Sequence, residues 1–199
     1  MVRLRPWTYD MQASPVTADR ILHLATEAVQ QGQGTPLSAL DGFSAATYVT
    51  DPDGVITYFN PACVDLAGRV PSLGHDRWCV TWRLYTNEGA FLPHDQCPMA
   101  VAILEKRPIR GVSAVAERPD GSRINFVPHP TPIFDCDGGL LGAVNILIDV
   151  TDQKQAGFFR LQASKCRRLA LSVGDRQTAD RLIQLAAEYE EKADKLRAA

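Results

Sequence analysis

No apolar run in this sequence approaches the ~18 consecutive residues that a bilayer span requires. The opening stretch, Met1-Val2-Arg3-Leu4-Arg5-Pro6-Trp7, has no apolar signal-peptide core. Both absences set the expectation of a cytoplasmic protein with no membrane partner. An excess of positive charge is missing as well. The formal net charge is −2, so nothing favours a nucleic acid or an acidic surface as partner. Cysteine is scarce and odd in number, five in all, with no Cys-x-x-Cys. A disulfide framework is therefore not expected, and the thiols read as small buried hydrophobes. Gly-x-Ser-x-Gly, His-Glu-x-x-His, a phosphate loop and a dinucleotide fingerprint are all absent. The chain is read as non-enzymatic. It has neither an internal repeat nor a low-complexity tract.

What the sequence does contain is turn chemistry. Three glycine-bearing turns separate apolar runs: Asp51-Pro52-Asp53-Gly54, Arg118-Pro119-Asp120-Gly121-Ser122 and Asp135-Cys136-Asp137-Gly138-Gly139. Each pairs aspartate with glycine, as a tight reversal requires. They predict one hairpin from Tyr48 to Phe59 and a second from Ile109 to Val127. A last strand, Leu140–Val150, is apolar on both faces and so central, with Asn145 as its one polar interruption. Pro128, Pro130 and Pro132 remove alternate N–H groups, so one side of that stretch loses its ladder and an irregular or extended exit is expected. Asn60-Pro61 predicts a capped helix start. Residues 62 to about 108 show no clean strand pattern and read as loops and short helices, with one clearer helix over Pro98–Lys106, opened by Asp95 or by Pro98 itself.

Helical periodicity flanks this region. Thr17-Ala18-Asp19 reads as a cap, Ile21, Leu22, Leu24, Ala25 and Val29 follow at helical spacing, and Gly32 or Gly34 ends the segment. From Thr151-Asp152 the pattern is helical again, carrying Phe158, Phe159, Leu161, Leu169 and Leu171, and it breaks at Val173-Gly174-Asp175. A second helix places Leu182, Leu185, Ala186, Tyr189, Ala193 and Leu196 on one stripe. Such a tail is either a helical hairpin or a dimerising helix. The expected organisation is a flexible tail over 1–15, a helix over 16–34, a domain over 37–152 and a helical segment over 153–199.

The stretch Tyr48 to Ala62 resembles the opening of a PAS domain. Leu141-Gly142-Ala143-Val144-Asn145-Ile146-Leu147-Ile148-Asp149-Val150-Thr151-Asp152 is similar to the last PAS strand with its Asp-x-Thr junction, and Arg118–Ser122 is similar to the turn of the second hairpin. Gly89 to Ala100 resembles the approach to the PAS helix before that hairpin. This resemblance covers roughly residues 37–152. It implies an α+β fold, a five-stranded antiparallel sheet with helices on one face and a ligand-sized cavity between. It also implies a sensor that signals through its flanking helices, as a homodimer, to a partner such as a histidine kinase. The tail from Ala163 resembles one found on small alphaproteobacterial PAS proteins. The residues from Thr151 to Ala199 are not expected to hold a kinase, cyclase or receiver domain.

Candidate site residues follow from the same reading. Trp78, Trp82, Arg83 and Tyr85 form an aromatic group that either lines a pocket for a small, anionic ligand or packs as core. His129 and Asn145 lie on strands and either face the cavity or serve as hydrogen-bonded core. His94 and Cys97 are three apart, a spacing compatible with zinc or iron only if further ligands such as His75 and Cys79 join them. Structural roles are the simpler reading, and no metal is expected. Haem-binding PAS domains carry a histidine on the helix before the second hairpin. Here that helix has none, leaving Met99 as the only iron-binding side chain there, with core packing as its plainer role. Cys63 and Cys79 lack the neighbours that covalent flavin chemistry needs. The cofactor is left unassigned. Three readings stand: a ligand-binding sensor, a ligand-free interaction module, and a metal or haem redox sensor.

Overall fold

The computed structural model describes residues 15–31 and 36–198. The flexible tail expected over 1–15 and the glycine cap at 32–34 lie essentially outside those residues. The chain forms two compact units, Met1–Asp149 and Val150–Ala199.

The first unit is built on one antiparallel sheet. Helix α1 (Pro15–Gln31) precedes strand β1 (Ala46–Thr50), and β2 (Ile56–Phe59) returns beside it. Helix α2 (Pro61–Ala67) follows, then a short hairpin β3 (Arg83–Tyr85) and β4 (Phe91–Leu92), then α3 (Pro98–Glu105). Strands β5 (Ala114–Glu117), β6 (Arg123–Pro128), β7 (Thr131–Phe134) and β8 (Leu140–Asp149) complete it. The spatial order is β2-β1-β8-β6-β5-β3-β4, and β7 also pairs with β8.

All three turns form as the aspartates dictate. Asp51 Oδ1 accepts the N–H groups of Asp53 and Val55 at 2.9 Å, Asp120 Oδ1 accepts that of Ser122 at 2.8 Å, and Asp135 Oδ1 accepts those of Asp137 at 2.9 Å and Gly139 at 2.6 Å. The side chain mimics a backbone turn and fixes each hairpin locally.

The expected five strands become eight. The excursion was expected to hold no strand, yet β3 pairs with β5 from Arg83↔Glu117 to Tyr85↔Val115 and extends the sheet by a further hairpin. These strands have only three and two residues, too short for an alternating pattern to emerge. The prolines behave as their missing donors demand. β6 pairs with β5 only as far as Ala114↔Phe126. On its other side, pairing to β8 continues through Pro128↔Leu147 and resumes at Thr131↔Val144. The exit is thus an extended strand, β7, rather than a loop.

Asn60 sits at the N-cap position of α2, but its side chain makes no cap bond. It turns back to β1 instead. Its Oδ1 accepts the Thr47 N–H at 2.9 Å, and its Nδ2 donates to the carbonyls of Leu40 (3.3 Å), Phe43 (3.2 Å) and Ala45 (2.9 Å). Helix α1 begins at Pro15, so Thr17 lies inside its first turn. The helix α3 starts at Pro98 with Cys97 as cap, and Asp95 belongs to a separate 3-10 turn, His94–Gln96.

The sheet is covered on both sides. Its inner face carries Tyr48, Ile56, Phe126, Ala143 and Leu147, packed with Cys63 and Leu66 of α2 and Met99 and Ile103 of α3. Val49, Val144, Ile146 and Ile133 are on the outer face and pack against Ile21 and Ala25 of α1. Each fully buried large side chain here stabilises by roughly 2 kcal/mol. The double covering explains why β1 is buried along its whole length and why β8 reads as apolar on both faces.

The second unit is a helical hairpin, α4 (Thr151–Ser172) and α5 (Arg176–Ala198). Asp175 caps α5 by accepting the Thr178 N–H at 2.9 Å. The first residue of α4 is Thr151, and the cap position is Val150 with no side-chain cap bond. Ala163 and Cys166 pack on Ala186 and Tyr189, with Phe159 stacked on Tyr189 at 6.0 Å. Arg167 pairs with Glu190 at 2.6 Å. Within the chain the two helices form the hairpin that the sequence left open. The large apolar side chains Phe158, Leu161, Leu169 and Leu171 of α4 are exposed. Small residues hold the seam because they allow the two helices to approach closely.

Candidate functional site

Tyr48 lies at the centre of the inner face, fully buried. Its hydroxyl donates to the Trp78 carbonyl at 2.8 Å and accepts from Asn145 Nδ2 at 3.0 Å. Asn145 Oδ1 in turn accepts the backbone N–H of His129 at 2.9 Å. This chain of bonds ties β1, the excursion, β8 and the β6–β7 junction together. Burial pushes the Tyr48 hydroxyl well above its ordinary range, helped by the nearby Cys79 and Cys97 thiols, so the hub is neutral.

Trp78 holds the hub from the other side. Its φ of 68° places a bulky residue in the left-handed region, at a cost of about 1–3 kcal/mol. Several contacts over-determine that conformation. Its N–H donates to the Gly54 carbonyl at 2.7 Å, and Val55 bridges Arg77. Its indole packs on Gly54, where a Cβ would fall 2.2 Å from the ring. Arg77 closes the arrangement by donating to the Asp53 carbonyl at 2.6 Å. The strained residue therefore delivers its carbonyl to Tyr48 while its ring seats on the first hairpin turn.

Three buried thiols surround this point. Cys63 donates to the Thr47 carbonyl at 3.3 Å, Cys79 lies 3.2 Å from Thr81 Oγ1, and Cys97 Sγ is 3.8 Å from the Trp78 carbonyl. Burial pushes Cys63 and Cys97 up to about 12, and Cys79 upward as well. Protonated thiols of this kind are poor nucleophiles and poor metal ligands. Among the described residues no three His, Cys, Asp or Glu side chains stand together as a metal-holding group. His94 lies on the 3-10 turn that Cys97 ends, and its carbonyl accepts the Cys97 N–H at 3.2 Å. Its Nε2 is buried without a partner among the described residues, and burial, with Arg69 adding, holds its pKa below the ordinary histidine value. Cys136 is the exposed thiol. Labelling of native protein with a disulfide exchange reagent is expected to show one fast thiol of five, lost in Cys136→Ser; two or more fast thiols would contradict the buried assignments.

The candidates from sequence are divided by the fold. Trp78, Met99 and Asn145 meet in the inner cluster around Tyr48. Trp82, Arg83 and Tyr85 belong to β3 and its edge: the Arg83 guanidinium covers the Trp82 ring at 4.2 Å, and Arg123 covers Tyr85 at 4.4 Å. Glu117 accepts from Arg123 Nη2 at 2.7 Å, and that bond holds its carboxyl below the usual range. This is a surface ion-pair and stacking patch. The His129 backbone joins the inner hub while its ring lines a cavity on the outer face. Tyr48, Arg110 and the Trp78 carbonyl were not singled out from sequence. An isolated tyrosine in a short apolar strand resembles any aromatic strand residue, and a backbone carbonyl leaves no side-chain signal. A separate cleft of about 550 Å³ lies between the β3–β4 hairpin, the start of α3 and residues 107–114, with Leu92, Pro98, Val101 and Val112 in its wall.

An antiparallel sheet opening with an Asp-Pro-Asp-Gly hairpin, crossed on its inner face by helices from one long excursion and closed by a central strand, defines a sensory-domain architecture. A family model described as the PAS fold matches residues 40–155, and the chain belongs to that family, whose members are signalling and sensory domains. It is similar in structure to the PAS domain of a protein from Colwellia psychrerythraea, at 21% identity over 57% of this chain and 92% of that one, with a TM-score of 0.39. The LOV protein of Rhodobacter sphaeroides aligns at 13% identity over 91% of this chain and 98% of that one, TM-score 0.40. The PAS domain of BvgS from Bordetella pertussis aligns at 18% identity over 57% and 80%, TM-score 0.36. No curated protein matches the chain. No helix among the described residues is long and apolar enough to cross a membrane.

Proposed function

We propose that this protein is a signalling module that acts by protein–protein association, two copies joining through the helices that flank the PAS fold. The observation that carries the reading is the apolar row on α4. Phe158, Leu161 and Leu169 are 56%, 55% and 53% exposed. At 3.6 residues per turn they fall within an arc of about 80°. The face that packs on α5 through Ala163 and Cys166 is a different one. Surface helices rarely present three large apolar side chains in line without a partner. The inner face supports the same reading over a resident small molecule. The polar groups of Tyr48 and Asn145 that face it are bonded to one another and to backbone, and Met99, Phe126 and Leu147 pack in the same cluster. A signalling protein such as a histidine kinase is the downstream partner implied by the family.

Light scattering on wild-type protein is expected to give twice the 21.8 kDa chain mass. The triple variant Phe158→Asn, Leu161→Asn, Leu169→Asn is expected to give one chain mass with unchanged helical circular dichroism. A wild-type protein that is monomeric at tens of micromolar would overturn the reading. A native mass spectrum of the same sample reads any retained small molecule.

A further inference from the structure

The cleft of about 550 Å³ has an apolar wall: Leu92 of β4, Pro98 and Val101 of α3, and Ile109 and Val112 of the crossing that leads to β5. Val112 is 40% exposed. Water takes about 30 Å³ per molecule, so the space is large enough for several side chains. An apolar concavity of this size left to solvent marks a place where another group docks.

The path of α1 shows what lies nearest to it. At one end of the helix Gln30 donates to the carbonyl of Phe134, the last residue of β7, at 2.7 Å. At the other end Ala18 and Asp19 stand with Arg110 and Thr131, the first residue of β7, around a small cavity. The crossing is fastened at that same end. Arg110 donates to the Pro130 carbonyl at 2.8 Å and to Thr131 Oγ1 at 2.7 Å, and the Ile109 N–H donates to the Pro130 carbonyl at 3.3 Å. Its side chains divide: Arg110 borders the α1 side, while Ile109 and Val112 wall the cleft. The chain ahead of α1 therefore joins the fold one crossing away from the cleft.

We propose that the cleft is the docking site for residues 1–14 of this same chain, with Trp7 as the anchor. Residues 1–14 lie outside the described residues, and their sequence fits the wall. Leu4, Trp7, Tyr9 and Met11 are large and apolar, and a tryptophan buries more apolar area than any other side chain. Seven residues separate Trp7 from Ser14, a reach of up to about 23 Å when extended. The rim suits the charges as well. It carries Glu88, and its cation Arg107 is paired with Glu105 at 2.5 Å, a balance that matches a segment bearing Arg3 and Arg5. A short tether holds a segment at an effective concentration near millimolar. Even a contact with a millimolar Kd is then populated, ahead of a free partner of equal affinity. The docked segment closes the cleft to other apolar segments. The site stands independently of self-association through α4.

The test is paramagnetic relaxation enhancement in the full chain. A nitroxide is attached at Thr8→Cys in a Cys136→Ser background, where the remaining native cysteines are buried. The amides of residues 86–92 and 109–113 are expected to lose most of their intensity and to regain it when the nitroxide is reduced. Trp7→Ala is expected to restore those intensities several-fold with an unchanged melting curve. Val112→Asp, a change at an exposed position of the wall, is expected to do the same from the other side of the contact. Broadening that misses the cleft, or that survives Trp7→Ala, would overturn the proposal. So would broadening carried wholly between chains, read by mixing labelled protein with isotope-enriched unlabelled protein, which would assign the cleft to a second copy.

Discussion

Gly142→Ala is expected to abolish folding of the PAS unit. Gly142 has φ of 149°, and a Cβ there would lie 2.0 Å from the Thr50 carbonyl oxygen. The obstacle is backbone of the neighbouring strand, and it sits beside the Thr50↔Ala143 pair that locks β1 to β8. Relief requires opening the central ladder of the sheet, so the expected loss is more than about 4 kcal/mol, at the extreme of single-residue effects. Loss of near-ultraviolet ellipticity and of chemical-shift dispersion would report it. The matched control is Gly157→Ala in α4, where an added Cβ meets nothing within 4 Å. There the helix interior gains about 1 kcal/mol. A well-dispersed, thermally unchanged Gly142→Ala protein would show that the close approach of β8 to Thr50 is wrong.

Asn60→Ala carries the second large effect. One buried amide satisfies four backbone groups, the Thr47 N–H and the carbonyls of Leu40, Phe43 and Ala45. Truncation leaves the Thr47 N–H and the Phe43 carbonyl without that partner, whereas the Leu40 carbonyl keeps the Phe43 N–H and the Ala45 carbonyl keeps the Thr47 hydroxyl. An unsatisfied buried group costs about 1–3 kcal/mol, and partial water entry reduces the sum, so about 3 kcal/mol is expected. For a chain of this size that corresponds to a fall in Tm of about 6–12 °C. An ordinary helix cap predicts about 1 kcal/mol, a fall of only a few degrees, so thermal melts separate the two roles. Asn60→Asp keeps the acceptor for Thr47 but loses the donors to three carbonyls, and is expected to lose most of the same stability. A drop under about 2 °C in both variants would return Asn60 to a simple cap.

Asn60 also shows where sequence reading reaches its limit. Asn-Pro ahead of a helix is a cap signal, and the helix did start there. The side chain, however, had a stronger use 13 residues back in the chain, at Thr47. The same division runs through the site. Asn145 stood out as the one polar residue in an apolar strand, and it does sit in the hub. Its partner Tyr48 is 97 residues away and gave no signal of its own. Trp82, Arg83 and Tyr85 formed an aromatic group in sequence, yet β3 carries them to the sheet edge, because Leu84 pairs with Ala116 and turns its neighbours toward Glu117 and Arg123. In α4 alanine and cysteine form the seam, while Phe158, Leu161 and Leu169 stay exposed.

Local chemistry was thus determined by the sequence alone: the three aspartate-led turns, the hairpins they close, the proline side of β6 and β7, the central apolar strand, the break at Gly174 and the family. Each depends on interactions within a few residues, where side-chain type and spacing suffice. Only the tertiary structure decided which residues meet: the Tyr48–Trp78–Asn145 hub, the strained Trp78 carbonyl, the cleft beside residues 107–114, and the exposed row on α4. Those depend on strand register and on which face each helix turns inward. Register is set by summed burial over the whole sheet, and no short stretch of sequence contains that sum.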